Sequence, residues 1–150
     1  MSLAPTPHHA ESPLERVLRS FERQGLMQHW GARVLRAQVG QCVITLPYSD
    51  KVSQQQGAFH GGAMGALADI AAGYAALTQA PAGSEVVTVE YKINFLASCQ
   101  GGELRATGRV VKAGKRVIIT SADVIHIAAD GRETACAVLQ QTIMPVHKTY

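Results

Sequence analysis

Asp69 is the residue from which chemistry is read most directly. It lies in FHGGAMGALADIAAGYAAL, residues 59–77, where Ala63, Leu67, Ile70, Tyr74 and Leu77 recur at helical spacing. On such a helix the surface neighbours of Asp69 lie three, four and seven residues away. They are Gly62, Gly65, Ala66, Ala72, Gly73 and Ala76, all of them Gly or Ala. No long side chain shields this carboxylate, and no Lys or Arg pairs with it along the helix. Gly65 and Gly73 each cost ~1 kcal/mol relative to Ala in a helix interior, so something must approach this face closely to offset them. Two readings fit. One is small-residue packing, with Asp69 hydrogen-bonded by backbone. The other is a carboxylate standing in a cleft as general base or nucleophile.

His60-Gly61-Gly62 opens the same predicted helix. The first N–H groups of a helix have no internal partner, and two glycines leave them sterically open. Such an end can polarise a carbonyl oxygen or hold an oxyanion, and it can equally be a start chosen for backbone geometry alone. His60 by itself fits a structural hydrogen-bonding role as well as a catalytic one. A metal site from His60 and Asp69 is not expected, because nine residues place them on different helix faces with no third ligand in the pattern. The chain has no GxSxG, no GxxxxGK[ST] and no GxGxxG after a strand, which argues against a serine-hydrolase elbow or a nucleotide cradle.

The elements that must position these residues are legible from their periods. Residues 1–11 read as a loose tail, and 12–150 as one domain. Ser12-Pro13 starts a helix over 13–24 that Gly25 is expected to end. Val34–Gln38 and Cys42–Leu46 alternate as strands around Gly40, and the polar run Asp50–Gly57 reads as a loop. The central helix spans His60–Gln79, with Pro81 and Gly83 beyond it. Val87, Val89, Tyr91, Ile93 and Phe95 then alternate with Thr88, Glu90, Lys92 and Asn94, which assigns Thr88 to the polar face. Strands over Leu104–Lys112, Val117–Ile127 and Thr134–Met144 follow, joined by turns at Gly114 and Asp130-Gly131. Strands in runs around one long helix predict an α+β fold with a mostly antiparallel sheet.

Composition narrows the class further. The 150 residues are 47% apolar and 17% charged, with a net charge of +3, which excludes a disordered chain. Aromatics are only 5%, too few for a nucleic-acid stacking platform. The apolar stretch from Ala63 to Ala80 is long, but Asp69 at its centre argues against a membrane span. The three cysteines, Cys42, Cys99 and Cys136, form no CxxC pattern; with no visible signal peptide this predicts a cytoplasmic protein without a disulfide scaffold. Arg105, Arg109, Lys112, Lys115 and Arg116 fall within twelve residues that contain no acid, suiting an anionic ligand.

With these residues in view, the sequence resembles the hotdog-fold acyl-CoA thioesterases of the phenylacetate-pathway, PaaI-like group. QQQGAFHGGAMGALADIAAGYAAL (54–77), VVTVEYKINFLA (86–97) and GRVVKAGKR (108–116) carry the resemblance, which extends over about residues 30–145. It implies a long central helix wrapped by a curved antiparallel sheet of about six strands, and a homodimer, often a dimer of dimers, with shared active sites. Asp69 would be the catalytic carboxylate of one subunit. Gly61 would offer its N–H to the thioester oxygen from the other, with His60 beside it. Gln54 stands where many members carry Asn and would orient water or the thioester. Thr88 falls where relatives place a Ser or Thr near the carboxylate; a bulge or a strand end would reconcile this with its polar-face parity. Lys112, Lys115 and Arg116 would meet the CoA phosphates. No cofactor or metal is implied, and acyl-CoA is the expected partner, with neither nucleic acid nor membrane. A non-catalytic acyl-CoA-binding module on the same fold is the alternative, opposed by an unshielded carboxylate that would repel an anionic ligand. A hotdog dehydratase would need a His-plus-acid helix pattern that is not present.

Overall fold

The computed structural model describes residues 10–150, so most of the tail expected over 1–11 lies outside the described residues. Helices α1 (Pro13–Phe21) and α2 (Gly25–Trp30) come first, followed by strands β1 (Arg33–Gln38) and β2 (Gln41–Pro47). A single 3-10 turn at Asp50–Val52 leads to the long helix α3 (Gly61–Leu77). Four strands complete the chain: β3 (Ser84–Phe95), β4 (Glu103–Ala113), β5 (Ile118–Ile127) and β6 (Glu133–His147). All pairings are antiparallel, and the six strands lie in the order β1-β2-β4-β5-β6-β3. The α+β class, the strand count and the central helix are those expected.

Local chemistry explains the helix ends. Ser12 Oγ accepts from the Glu15 N–H at 3.2 Å, and Glu15 Oε2 accepts from the Ser12 N–H at 2.8 Å, a reciprocal cap that starts α1. The helix expected over 13–24 is α1, which stops at Phe21; Gly25, expected to end it, instead begins a second helix, α2, that the sequence reading did not contain and that Gly31, at φ 74°, ends. Met27, fully buried, anchors the short α2 to the core, which periodicity over so few residues does not reveal. The Arg16 guanidinium then ties α1 to the far end of α3, donating to the carbonyls of Ala80 (2.8 Å), Pro81 (2.8 Å) and Ser84 (3.0 Å).

α3 is wrapped more completely than its predicted stripe of five residues implies. Met64, Gly65, Ala68 and every residue from Ala71 to Leu77 are buried as well. The reason lies at Gly108 on β4. A Cβ there would stand 2.2 Å from the Ala71 carbonyl oxygen and 2.4 Å from the Ala72 nitrogen. The backbones of strand and helix touch, which only glycine permits. Of the helix surface, Gly61, Gly62, Ala66, Asp69 and Ile70 keep access to solvent.

Gly108→Ala drives a methyl into backbone that cannot move without lifting the sheet from the helix. We expect a loss of about 3 kcal/mol or more of unfolding free energy, beyond the usual cost of overpacking, measured by denaturant titration.

Candidate active site

The start of α3 is built around one unspent hydrogen-bond donor. His60 is the N-cap, and its Nδ1 accepts from the Gly62 N–H at 2.7 Å. That nitrogen is therefore unprotonated and the ring proton sits on Nε2. The Ala63 and Met64 N–H groups both bond to the His60 carbonyl, at 2.9 and 3.1 Å. Among the described residues no acceptor faces the Gly61 N–H, which leaves it as the free donor of the first turn. Both glycines are seats for rings: a Cβ on Gly61 would meet the Phe95 ring at 3.2 Å, and one on Gly62 would meet His60 Nδ1 at 2.9 Å. Gly61 lines a cavity of about 370 Å³ with Gln54, Phe59, Met64, Phe95 and Ala97. Within it the Gln54 Oε1 is engaged by the Gln56 N–H, so its amide NH₂ is the end left to meet a ligand.

Asp69 stands in a second cavity, of about 330 Å³, lined among others by Thr88, Tyr74, Ser20, Gln24 and Glu85. Thr88 Oγ1 donates to Asp69 Oδ1 at 2.6 Å. This contact depends on a β-bulge. Thr88 pairs with Ile143 and Glu90 with Thr142, so Val89 is an extra residue in β3. The bulge reverses the strand's parity. Val86 packs on the core before it and Ile93 after it, and Thr88 turns to the helix while Val87 and Val89 are 43% and 58% exposed. The uniform alternation expected for β3 is thus corrected: it holds from Tyr91 onward and inverts before the bulge.

Burial raises the Asp69 carboxyl above its ordinary range, by removing water from the charged form, and the Thr88 hydrogen bond pulls partly the other way. A half-buried carboxylate of raised basicity can take a proton from water near neutral pH. Of its six small neighbours, Gly65, Ala72, Gly73 and Ala76 are buried by packing, while Gly62 and Ala66 border the open side. Small-residue packing therefore holds over the buried part of this face, except that Asp69 bonds to a side chain and not to backbone, and its carboxylate lines a cavity.

Three participants escaped the sequence. Gln141, 1% exposed, donates from Nε2 to the Asp69 carbonyl at 3.1 Å; its inward parity with Leu139 and Ile143 on β6 was the available signal. The Tyr91 hydroxyl lies 3.3 Å from where a Gly65 Cβ would be, which explains that costly glycine. Phe95 covers Gly61, and its parity with Tyr91 would have found it.

The basic residues divide. Arg105 pairs with Glu133 at 2.8 Å and Arg109 with Asp123 at 2.7 Å. Lys112, Lys115 and Arg116 are exposed at the β4–β5 hairpin and have no ion-pair partner among the described residues. Ala113 pairs with Ile118, Ile118 with Ile143 and Ile143 with Thr88. The hairpin therefore lies three strand steps, ~14 Å, from the Asp69 partner. Gly61 and Asp69 are eight residues apart on one helix, ~12 Å by helical rise, so one chain does not bring both to the same atom. Among the described residues no cluster of His, Cys, Asp or Glu is placed to hold a metal, and no helix is long and apolar enough to cross a membrane.

Residues 56–130 match the family described as the thioesterase superfamily. A thioesterase family protein from Silicibacter pomeroyi superposes with a TM-score of 0.87 at 32% identity, covering 91% of this chain and 99% of that one. The PaaI protein of the E. coli phenylacetic acid degradation operon shares the fold, with a TM-score of 0.80 at 21% identity over 91% of this chain and 95% of that one. The 1,4-dihydroxy-2-naphthoyl-CoA hydrolase of Listeria monocytogenes is 33% identical over 91 residues, 61% of this chain and 74% of that protein. This chain belongs to the thioesterase superfamily, with the hotdog fold, and is a thioester hydrolase.

Replacing Thr88 by Val removes the hydrogen bond that lowers the Asp69 pKa and keeps the shape. The carboxyl should then titrate at a higher pH than in the parent protein, as followed by carbon NMR of the Asp69 carboxyl; an unchanged or lower value contradicts the assigned bond.

Proposed function

We propose that this protein hydrolyses acyl-CoA thioesters to the free carboxylic acid and CoA, at sites shared between two copies of itself. The observation that carries the reading is the pair of half-sites on α3: an unspent N–H at Gly61 and a desolvated carboxylate at Asp69, ~12 Å apart. A second copy laid antiparallel brings the Gly61 N–H of the partner subunit beside Asp69. The surface for that copy is at hand. β3 is an edge strand next to the open strip of α3, and its Val87, Val89, Tyr91 and Phe95, with Leu96 just after it, are each at least 43% exposed. Leu35, Val39 and Val111, exposed on β1, its turn and β4, are left for the pairing of dimers.

In the shared site Asp69 either takes a proton from water, whose oxygen attacks the thioester carbon, or attacks that carbon itself to form a mixed anhydride that water then hydrolyses, freeing the acid and the carboxylate. The Gly61 N–H of the partner subunit bonds the developing oxyanion, helped by the positive end of the helix. The carbon–sulfur bond breaks, and the CoA sulfur leaves with a proton. His60 keeps the helix start in place, the Gln54 amide orients the thioester or water, and Thr88 holds Asp69 in one rotamer. Lys112, Lys115 and Arg116 meet the phosphates of CoA.

A mixed dimer tests the shared site. Asp69→Asn should cut turnover by roughly 10²-fold to 10⁴-fold. Gly61→Pro deletes the N–H at a helix position that suits proline, after a His60 whose ψ of 136° already fits a residue before proline, while Gly61→Ala, which sets the same Cβ against Phe95 and keeps the N–H, serves as its control. Gly61→Pro should cost roughly 10²-fold to 10³-fold. Co-expressed, Asp69→Asn and Gly61→Pro subunits pair at random, so half of the dimers carry one intact site of two and turnover should return to about a quarter of the parent value; absence of recovery shows that the site is not shared between subunits.

Reversing Lys112, Lys115 and Arg116 to Glu should raise KM for acyl-CoA by roughly tenfold or more, with little change for a short thioester lacking the nucleotide. Equal losses on both substrates would show that the hairpin does not read CoA.

A further inference from the structure

Cys99 and Cys136 are 37 residues apart in sequence, yet their sulfurs lie 2.6 Å apart, closer than unbonded sulfurs rest. Two features of the fold bring them together. Cys136 is the extra residue of a bulge in β6, since Val124 pairs with Ala137 and Ile125 with Ala135. The extra residues of the other bulges, Leu35, Val89 and Val111, point to solvent, whereas Cys136 is turned inward and fully buried. Cys99 is on the connection from β3 to β4, 3% exposed. Backbone hydrogen bonds hold both: the Cys99 carbonyl accepts from the Phe59 N–H at 2.8 Å, and the Cys136 carbonyl accepts from the Leu96 N–H at 2.7 Å. The cavity beside Gly61 is walled by Leu96, Ala97 and Ser98, the three residues of the same connection that precede Cys99.

We propose that Cys99 and Cys136 are a modification site, at which a peroxide converts the two thiols to an intramolecular disulfide tying the β3–β4 connection to β6. One thiol is oxidised by hydrogen peroxide to a sulfenic acid, releasing one water. The second thiol displaces the hydroxyl as another water, and the sulfur–sulfur bond forms. Two electrons pass from the sulfurs to one peroxide. Burial pushes the Cys136 thiol up to about 12, so thiolate is scarce at neutral pH and the reaction quickens as pH rises. The bond closes at Cys99, whose carbonyl takes the Phe59 N–H and which directly follows Leu96, Ala97 and Ser98, and so fixes the wall of the cavity that holds the free N–H. This inference stands on the sulfur geometry and does not depend on the acyl-CoA reading.

The test counts thiols in the unfolded full-length chain after hydrogen peroxide treatment of the folded protein. Of the three thiols, one should remain, the mass should fall by two hydrogens, and dithiothreitol should restore both. The unfolding midpoint should rise by roughly 10 °C while the bond is present, because a long loop is closed in the unfolded state. Cys42→Ala should go from two thiols to none, and Cys99→Ala should keep both of its remaining thiols. Three surviving thiols, a gain of oxygen in place of the loss of hydrogens, or disulfides formed only between chains would each overturn the proposal.

Discussion

The contact between Gly108 and the Ala71–Ala72 backbone is the constraint on which the rest of the molecule depends. Where strand and helix backbones touch, no side chain fits between them. Small residues therefore fill the helix faces that meet the sheet, and the sheet curls around α3 instead of lying flat beneath it. Wrapping stops where α3 carries Gly62, Ala66 and Asp69. The same geometry that hides most of the helix leaves this strip free for a second surface.

Desolvation and helix polarity act on that strip at different places. At the start of α3, His60 satisfies Gly62 with its own ring, and its carbonyl takes the next two N–H groups, so polarity concentrates on the one N–H left over. Two turns on, Asp69 is drawn into a low-dielectric setting that raises its basicity, tempered by one hydroxyl. An electrophilic donor and a basic carboxylate on one rigid rod cannot neutralise each other. Eight residues of helix, ~12 Å, keep the two groups apart within one chain.

The β-bulges set the directions of the side chains that matter. In β3 the extra Val89 lets a single strand present Thr88 to Asp69 and, further along, Tyr91 and Phe95 to the glycines of α3. In β6 the extra Cys136 is turned to the interior, against Cys99. Regular pleating would hold one parity along each strand and could not serve both ends of the helix.

Much of this was legible in the residues alone. The long helix, its glycine-opened start, its carboxylate among Gly and Ala neighbours and the run of hairpin strands follow from period, caps and turn residues, which are local properties of a few neighbouring residues. The short α2 was not legible, because Met27 is buried by distant partners and not by its own helix. Nor was the face of Thr88: alternation predicts a side only when the pairing is regular, and the register of β3 is decided by β6, more than fifty residues on. The nearness of Cys99 to Cys136, the grip of Gln141 on the Asp69 carbonyl and the division of the site into two cavities likewise depend on which strands become neighbours. Sequence determines what each segment can form; only the closing of the sheet around α3 decides which side chains meet, because those meetings are set by long-range packing that no local pattern encodes.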